Sequence, residues 1–454
     1  MLLVPLLLVV PKEWLLAGIF IAVYGINGLS ASGILPRQAA WVAEIITLAM
    51  LVRVLAEVIR NPRRRPLPAP LLGIGLAIVV GLVIALLHGQ NLAALVLGIR
   101  KYAVFPTLGL CLILGEWNVT LPRLVWNSLL AVAFVQLPVS LYQLFTIGGG
   151  DGAGGTFGPG GTGLEAVFVS TVALAVLAVG LRSAARTRWY VRTGLVVLLM
   201  VALTIGGGVV AVPIVLLGIV VLLATGRGLG RELALAALGL AAVSLVAFPA
   251  AAAYQRSINF PDPRVLLSNP LLALNYGPVS TAKLELGRLD QLVLAWQTGS
   301  SGGAEQLVLG RGLYAASPSY FGQDVSGPLL AKTPRLIYVA SSWGRGLLET
   351  GLAGLAAWAW LCIDCLRRGL RLRSRLGADA RRFATLAIIV GVMFPVLGAY
   401  NDAWNLPASA LLLWVVYAVA VRMDNEQENA VTHVDAKLAG GFSWLGRRER
   451  SARG

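Results

Sequence analysis

Charge is scarce in this chain. Asp, Glu, Lys and Arg together supply 13% of its 454 residues, about half the share of an ordinary soluble domain. Histidine is scarcer still, His88 and His433 being the two examples, and no Asp-x-Asp pair occurs. Neither a histidine-built metal site nor a metal-dependent enzyme using sugar nucleotides fits that inventory, so no metal and no cofactor is expected. The three cysteines, Cys111, Cys362 and Cys365, lie in or beside apolar runs, which excludes a disulfide framework. The last two form a Cys-x-x-Cys, but without the second pair of a zinc site or the strand that precedes a redox motif, and it reads as inert.

Apolar surface is what the chain has in excess. Hydrophobic residues make up 57% and the mean hydropathy is +0.78, far outside the soluble range. A hydrocarbon core of roughly 30 Å takes about 20 apolar residues per helix, and about twelve such runs are present. They fall near 14–30, 38–59, 69–88, 92–115, 125–147, 163–181, 193–206, 209–225, 233–253, 340–363, 383–400 and 404–421. The expected fold is an all-α polytopic membrane protein divided into a helical bundle over 1–253, a loop with short helices over 254–339, further spans over 340–422 and a tail over 423–454. The first residues, MLLVPLLLVVPKEW, lack a basic start and a small-residue cleavage site, and read as a retained membrane segment.

The net charge of +16 comes from arginines clustered in a few connections, which is a topology signal and not a nucleic-acid surface. Arg60 to Arg65, Arg182 to Arg192, Arg227 with Arg231, and Arg367 to Arg382 are all expected on the cytoplasmic side. Each pair of patches encloses an even number of spans, so they agree with one another. The tail ending WLGRRERSARG is then cytoplasmic and attracted to anionic lipid. The interval from Tyr254 to Val339 falls outside, and over residues 281–298 its apolar positions recur at helical spacing, as in a helix lying on the membrane surface.

Candidate sites follow from charge in apolar surroundings. Arg100 and Lys101 sit inside the fourth run, where a charge faces a cavity or partner or else snorkels to the interface. The glycine-rich run over 148–165 lacks the lysine and the strand of a phosphate-binding loop, and reads as a flexible outer loop, or as a lip over substrate with Glu165 at its edge. Among the loop charges Arg288 and Arg311 stand out, since guanidinium forks suit paired phosphates. Tyr314, Tyr320 and Trp296 are stacking or interface-belt candidates. Arg345 and Glu349, four apart, share a helical face, either as a neutralising ion pair or as a phosphate contact with a carboxylate that orients a hydroxyl. The turn Tyr400, Asn401, Asp402 adds polar groups on the same side.

Two stretches, LVLGRGLYAASPSYFG and SSWGRGLLETGLAGL, resemble the O-antigen ligase and polymerase family, the membrane glycosyltransferases that assemble bacterial surface polysaccharide. Arg288, the turn Gly310 to Gly312, and Glu349, Gly351, Leu352, Gly354 and Leu355 match its pattern. Ala340, Ser341 and Ser342 stand where ligases place a histidine, which tilts the reading toward a polymerase-like or other sugar-transferring member. The resemblance implies a GT-C-like fold in the cytoplasmic membrane, with its active side outward. It also implies a polyprenyl-diphosphate-linked glycan as donor and an acceptor glycan or lipid. Joined with the charges read above, it gives Arg288, Arg345 and Glu349 as the expected catalytic residues and Arg100, Lys101, Arg311, Tyr314 and Tyr320 as the expected binding residues. Membrane lipids and polysaccharide-assembly proteins are the implied partners. A lipid-linked glycan flippase or another twelve-helix transporter, and a peptidoglycan glycosyltransferase of the shape and elongation type, stand as alternatives; nine runs before the large loop and three after it, with no half repeat, weigh against a transporter.

Overall fold

The computed structural model of the chain describes residues 7–62, 66–117, 121–146, 154–157, 162–180, 288–318, 326–339, 341–374, 378–400 and 402–426. Helices and turns make up all of this, with no strand among the described residues. The expected spans at 193–206, 209–225 and 233–253, the loop up to residue 287 and the tail from 427 lie outside it.

Helix α1, Lys12–Ile21, continues through a π turn at Ala22–Ile26 into Asn27–Ala31. It is followed by α2 (Val42–Arg60), α3 (Ala69–Leu87), α4 (Leu92–Leu114), α5 (Leu121–Thr146) and α6 (Thr162–Gly180). Three short helices come next, α7 (Arg288–Ser300), α8 (Ala304–Leu309) and α9 (Pro328–Lys332). The chain then runs through α10 (Ser342–Leu372), α11 (Ala378–Tyr400) and α12 (Pro407–Glu426).

Sequence chemistry sets several of these limits. Pro70 lies in the first turn of α3, where its missing N–H costs nothing. Asn91 caps α4 by accepting a bond from the Ala94 N–H at 2.7 Å, and Ser341 caps α10 through the Gly344 N–H at 3.1 Å.

Among the described residues seven helices are long and apolar enough to cross a membrane: α1, α3, α4, α5, α10, α11 and α12. The protein is thus an all-helical, multi-pass membrane protein. The run expected at 38–59 does form a helix, but α2 carries Glu44, Arg53 and Glu57 and is not apolar enough to count among the seven. In α6 the residues after Glu165 are apolar but for Ser170 and Thr171.

The core is built around α12. Its residues from Ala410 to Val421 are all buried, as expected of a helix that is apolar all round. By contrast α3 exposes Leu72, Leu76, Val79, Val83 and Leu86, one stripe at three- and four-residue spacing. Helices α10 and α11 approach closely through Gly369 and Gly391, where a Cβ would come within 2.9 Å of the Ala384 carbonyl and 2.8 Å of the Cys362 carbonyl respectively. Small residues that let backbones meet are how helices associate in lipid.

The two ends of the bundle differ in character. At the basic end, Lys12 binds Glu57 at 2.7 Å, Arg422 donates to the carbonyls of Gly115 at 2.8 Å and Trp117 at 3.1 Å, and Arg368 bridges Asp364 and Asp424. Arginines from α2, α10, α11 and α12 gather there. The opposite end carries α7, α8 and α9, and is called the loop end below.

Candidate functional site

Between α8 and α9 the chain leaves the loop end and enters the bundle. Residues 310–317 cross α3 and α4. A Cβ on Gly81 would lie 2.9 Å from Leu313 Cδ2, and one on Gly98 would lie 3.0 Å from Leu313 Cβ. Each of these glycines is about six residues from its helix end, or about 9 Å deep at about 1.5 Å per residue.

Irregular backbone at that depth needs partners for its polar groups, because lipid offers none. The Leu313 N–H donates to the Gly81 carbonyl at 3.1 Å, and the Arg311 N–H to the Leu348 carbonyl at 2.9 Å. The Leu348 carbonyl is available because α10 breaks three residues further on. Gly351 has φ 67°, ψ −170° inside that helix, so the regular ladder is interrupted there. Gly310 and Gly351 meet at the break, where a Cβ on Gly351 would lie 2.5 Å from the Gly310 nitrogen.

Glu349 closes the junction. Its side chain is fully buried, and four donors share its two oxygens. Oε2 accepts from Tyr102 OH at 2.6 Å and Lys101 Nζ at 3.1 Å. Oε1 accepts from Ser317 Oγ at 2.7 Å and the Ala316 N–H at 3.1 Å. A carboxylate with that many donors has no acceptor site left over. Its work is to hold Lys101 and to fasten the inserted segment to α4 and α10.

Lys101 continues the network. It also donates to Ser317 Oγ at 2.8 Å and lies 3.7 Å from Asp402 Oδ2. Asp402 accepts in addition from Arg345 Nη1 at 2.9 Å, Asn405 Nδ2 at 2.7 Å and Ser342 Oγ at 3.2 Å. Arg345 donates from Nε to the Val339 carbonyl at 2.7 Å, which leaves most of its guanidinium donors without a partner among the described residues. Two cations and two carboxylates thus converge from α4, α10 and the α11–α12 connection, with their formal charges in balance.

Burial alone would raise the Asp402 carboxyl pKa, but Lys101 and Arg345 outweigh it and hold the group below its ordinary value. A depressed pKa stabilises the fold at pH above the unfolded value, about 3.9, and that contribution disappears as pH falls through the folded value. The gap in unfolding temperature between wild type and Asp402→Asn is therefore expected to be constant from neutral pH down to about 4 and to close below it. A gap that persisted in stronger acid would show that Asp402 is not held ionised.

The candidates of the sequence are not all in this cluster. Arg345 and Glu349 share a helix face but each takes a different partner, so they are not a mutual ion pair. Arg100, next to Lys101, points elsewhere: it binds Glu44 at 2.5 Å and lies over the Trp41 ring at 4.7 Å. Arg311 reaches the Thr298 carbonyl at the end of α7, at 2.7 Å. Tyr314 adopts φ 67°, and its ring is buried against Ala94 and Leu97 instead of standing in an interface belt; its hydroxyl donates to the Pro318 carbonyl at 2.7 Å. Arg288 opens α7, but its side chain, like the whole of Tyr320, lies outside the described residues.

Within the glycine-rich run, residues 154–157 form a fixed turn and not a loose loop. Gln143 brackets the N–H and C=O of Gly155 at 2.7 and 2.9 Å, while Gln136 accepts from the Thr156 N–H at 2.8 Å and donates to its hydroxyl oxygen at 2.7 Å. Two glutamine amides here substitute for a missing backbone neighbour. Glu165 is buried beside this turn and accepts from Ser140 Oγ at 2.7 Å.

Sequence reasoning missed Tyr102 and Ser317. The signal for Tyr102 was its position next to a lysine inside an apolar run; Ser317 carried none. Ser341 and Ser342 are engaged as the α10 cap and as a link from Asp402 to the Trp404 N–H, the latter at 3.0 Å. Among the described residues no group of histidines, cysteines or carboxylates could hold a metal ion. No protein-family model matches this chain, and no curated protein matches it.

Proposed function

We propose that the protein is a membrane glycosyltransferase related to the O-antigen ligases and polymerases. It would transfer or polymerise a polyprenyl-diphosphate-linked oligosaccharide at the loop end, on the outer face of the cytoplasmic membrane. The observation that carries this reading is the junction itself. Gly310, Gly312, Glu349 and Gly351, four of the residues on which the family resemblance rests, belong to one buried unit although two separate stretches supply them. Inserted backbone, a broken helix and buried charges at membrane depth mark substrate sites in membrane proteins. The gathering of arginines at the opposite end supports an outward-facing site, by the bias of cytoplasmic loops toward positive charge.

Pyrophosphate is a good leaving group, so the protein's main tasks are to position two substrates and to stabilise departing charge. Arg345 is suited to this because Val339 and Asp402 hold its Nε and Nη1, and its other guanidinium donors have no partner among the described residues. Lys101 adds a second positive charge across Asp402. As the acceptor hydroxyl attacks the anomeric carbon, the bond from that carbon to the phosphate oxygen breaks, the hydroxyl proton passes to the departing diphosphate, and these two cations face that diphosphate. Glu349 acts as a positioning residue in this scheme, through Lys101.

The test is purified protein in lipid, given a polyprenyl-diphosphate oligosaccharide. Longer glycans with released polyprenyl diphosphate are the expected result and denote a polymerase; transfer to an added different acceptor alone denotes a ligase. Movement of intact donor across a vesicle bilayer with no release would instead identify a flippase and overturn the proposal. Arg345→Ala is expected to lower turnover about a hundredfold, the cost of losing one group that stabilises developing charge, at unchanged protein level. Arg345→Lys should recover little of it, since a point charge does not replace a planar fork.

A further inference from the structure

We propose that α7 is an interfacial helix and that its face bearing Leu289, Val293 and Trp296 is covered by the lipid leaflet at the loop end. These three side chains are 39, 52 and 50% exposed, and their spacing of four and three residues puts them on one stripe. Such a stripe is costly in water.

Depth identifies what covers it. The other face of α7 packs on the first two turns of α10: a Cβ on Gly344 would lie 3.4 Å from Ala295 Cβ, and one on Gly299 would lie 3.7 Å from Leu347 Cγ. Because α10 is a membrane span beginning at Ser342, α7 lies within about 8 Å of the span's end. That is the level of headgroups and upper acyl chains.

Apolar side chains are exposed at the same end of α10 and α11. Trp343, half-buried at the start of α10, donates from its indole to the Pro395 carbonyl at 2.9 Å, and the next residue on α11, Val396, is exposed. Trp296 and Trp343 are the residue type that favours this boundary, apolar in body with one N–H to keep hydrated or bonded. Asp290 and Gln297, also exposed, lie together on one edge of α7, about 90° round from the apolar stripe. A helix with that division of faces lies in the plane of the interface. Thr298, through its bond from Arg311, connects this seating to the inserted segment.

The proposal stands whether or not the protein transfers sugars. It is tested by spin-labelling Leu289→Cys, Val293→Cys and Gln297→Cys, one at a time, in the full chain held in phosphatidylethanolamine and phosphatidylglycerol nanodiscs. Cys111, Cys362 and Cys365 are buried, so wild type gives the blank. Collision with dissolved oxygen should exceed collision with a soluble nickel chelate at 289 and 293, a positive shift in the depth parameter, and the order should reverse at 297. Labels at 289 and 293 that met the chelate as freely as 297 would place the face in water. Labels shielded from both reagents would mean that protein, for instance a second copy of the chain, covers it. Either result overturns the proposal.

Discussion

Glu349→Ala is expected to destabilise the protein by about 3–5 kcal/mol, the range found when one partner of a buried ion pair is removed. The argument rests on what remains. Lys101 would keep its charge with Asp402 at 3.7 Å as the nearest carboxylate. The Tyr102 hydroxyl and the Ala316 N–H would lose the acceptors they have at 2.6 and 3.1 Å. Each buried donor left unmatched costs about 1–3 kcal/mol. Glu349→Gln keeps an acceptor of the same shape but removes the charge, so it should fall between wild type and alanine. Pairing it with Lys101→Met should restore part of the loss, because the cation it leaves stranded is gone. Thermal unfolding in detergent of both single variants and the double variant measures this coupling. If the double variant lost the sum of the single effects, Lys101 and Glu349 would be independent, contrary to the geometry.

The second large effect is expected at Gly351. Alanine there would have to adopt φ 67°, which costs about 1–2 kcal/mol for a residue with a Cβ. That Cβ would also lie 2.3 Å from the Val308 carbonyl oxygen and 2.5 Å from the Gly310 nitrogen. Both contacts are backbone, so no rotamer change relieves them. The turn at Gly310 must move away, and with it the insertion that places Ser317 and Ala316 on Glu349. Gly351→Ala should therefore make residues 310–317 cleavable by added protease and abolish any transfer activity. Gly299→Ala is the matched control. Its Cβ would meet nothing closer than Leu307 Cδ1 and Leu347 Cγ at 3.7 Å, and in a helix the change should stabilise by up to about 1 kcal/mol. Equal protease resistance in the two variants would show that the break in α10 is not needed to seat the insertion.

Several of these features were legible in the residues. The limits of α3 and α4 follow from apolar runs bounded by Pro and Asn, which are local signals, whereas α11, expected from 383, begins at Ala378 and takes Arg381 and Arg382 into its first turns. The helical spacing noted over 281–298 does appear, as α7 from Arg288 to Ser300. Glu349 and Gly351 were conspicuous because a carboxylate and a following Gly-Leu pattern inside an apolar run are unusual locally. By contrast, the direction in which Arg100 and Lys101 point was not legible. Neighbours on a helix diverge by about 100°, and only the packing of α2 on one side and of the 310–317 segment on the other gives them different partners.

The amino-acid sequence determined by itself that this is a helical membrane protein, since burying so much apolar surface with so little charge has no other outcome in water. It also determined which arginines gather at one end, because charge in the bilayer is costly and each patch must stay in a connection. Tertiary structure alone decided that the chain re-enters the bundle at Gly310, that α10 opens at Gly351 to receive it, and that Asp402 faces Arg345 and Lys101. Those outcomes depend on polar groups from distant segments satisfying one another at a depth where neither water nor lipid can. Such complementarity is a property of the assembled bundle and leaves no period or spacing in any one stretch.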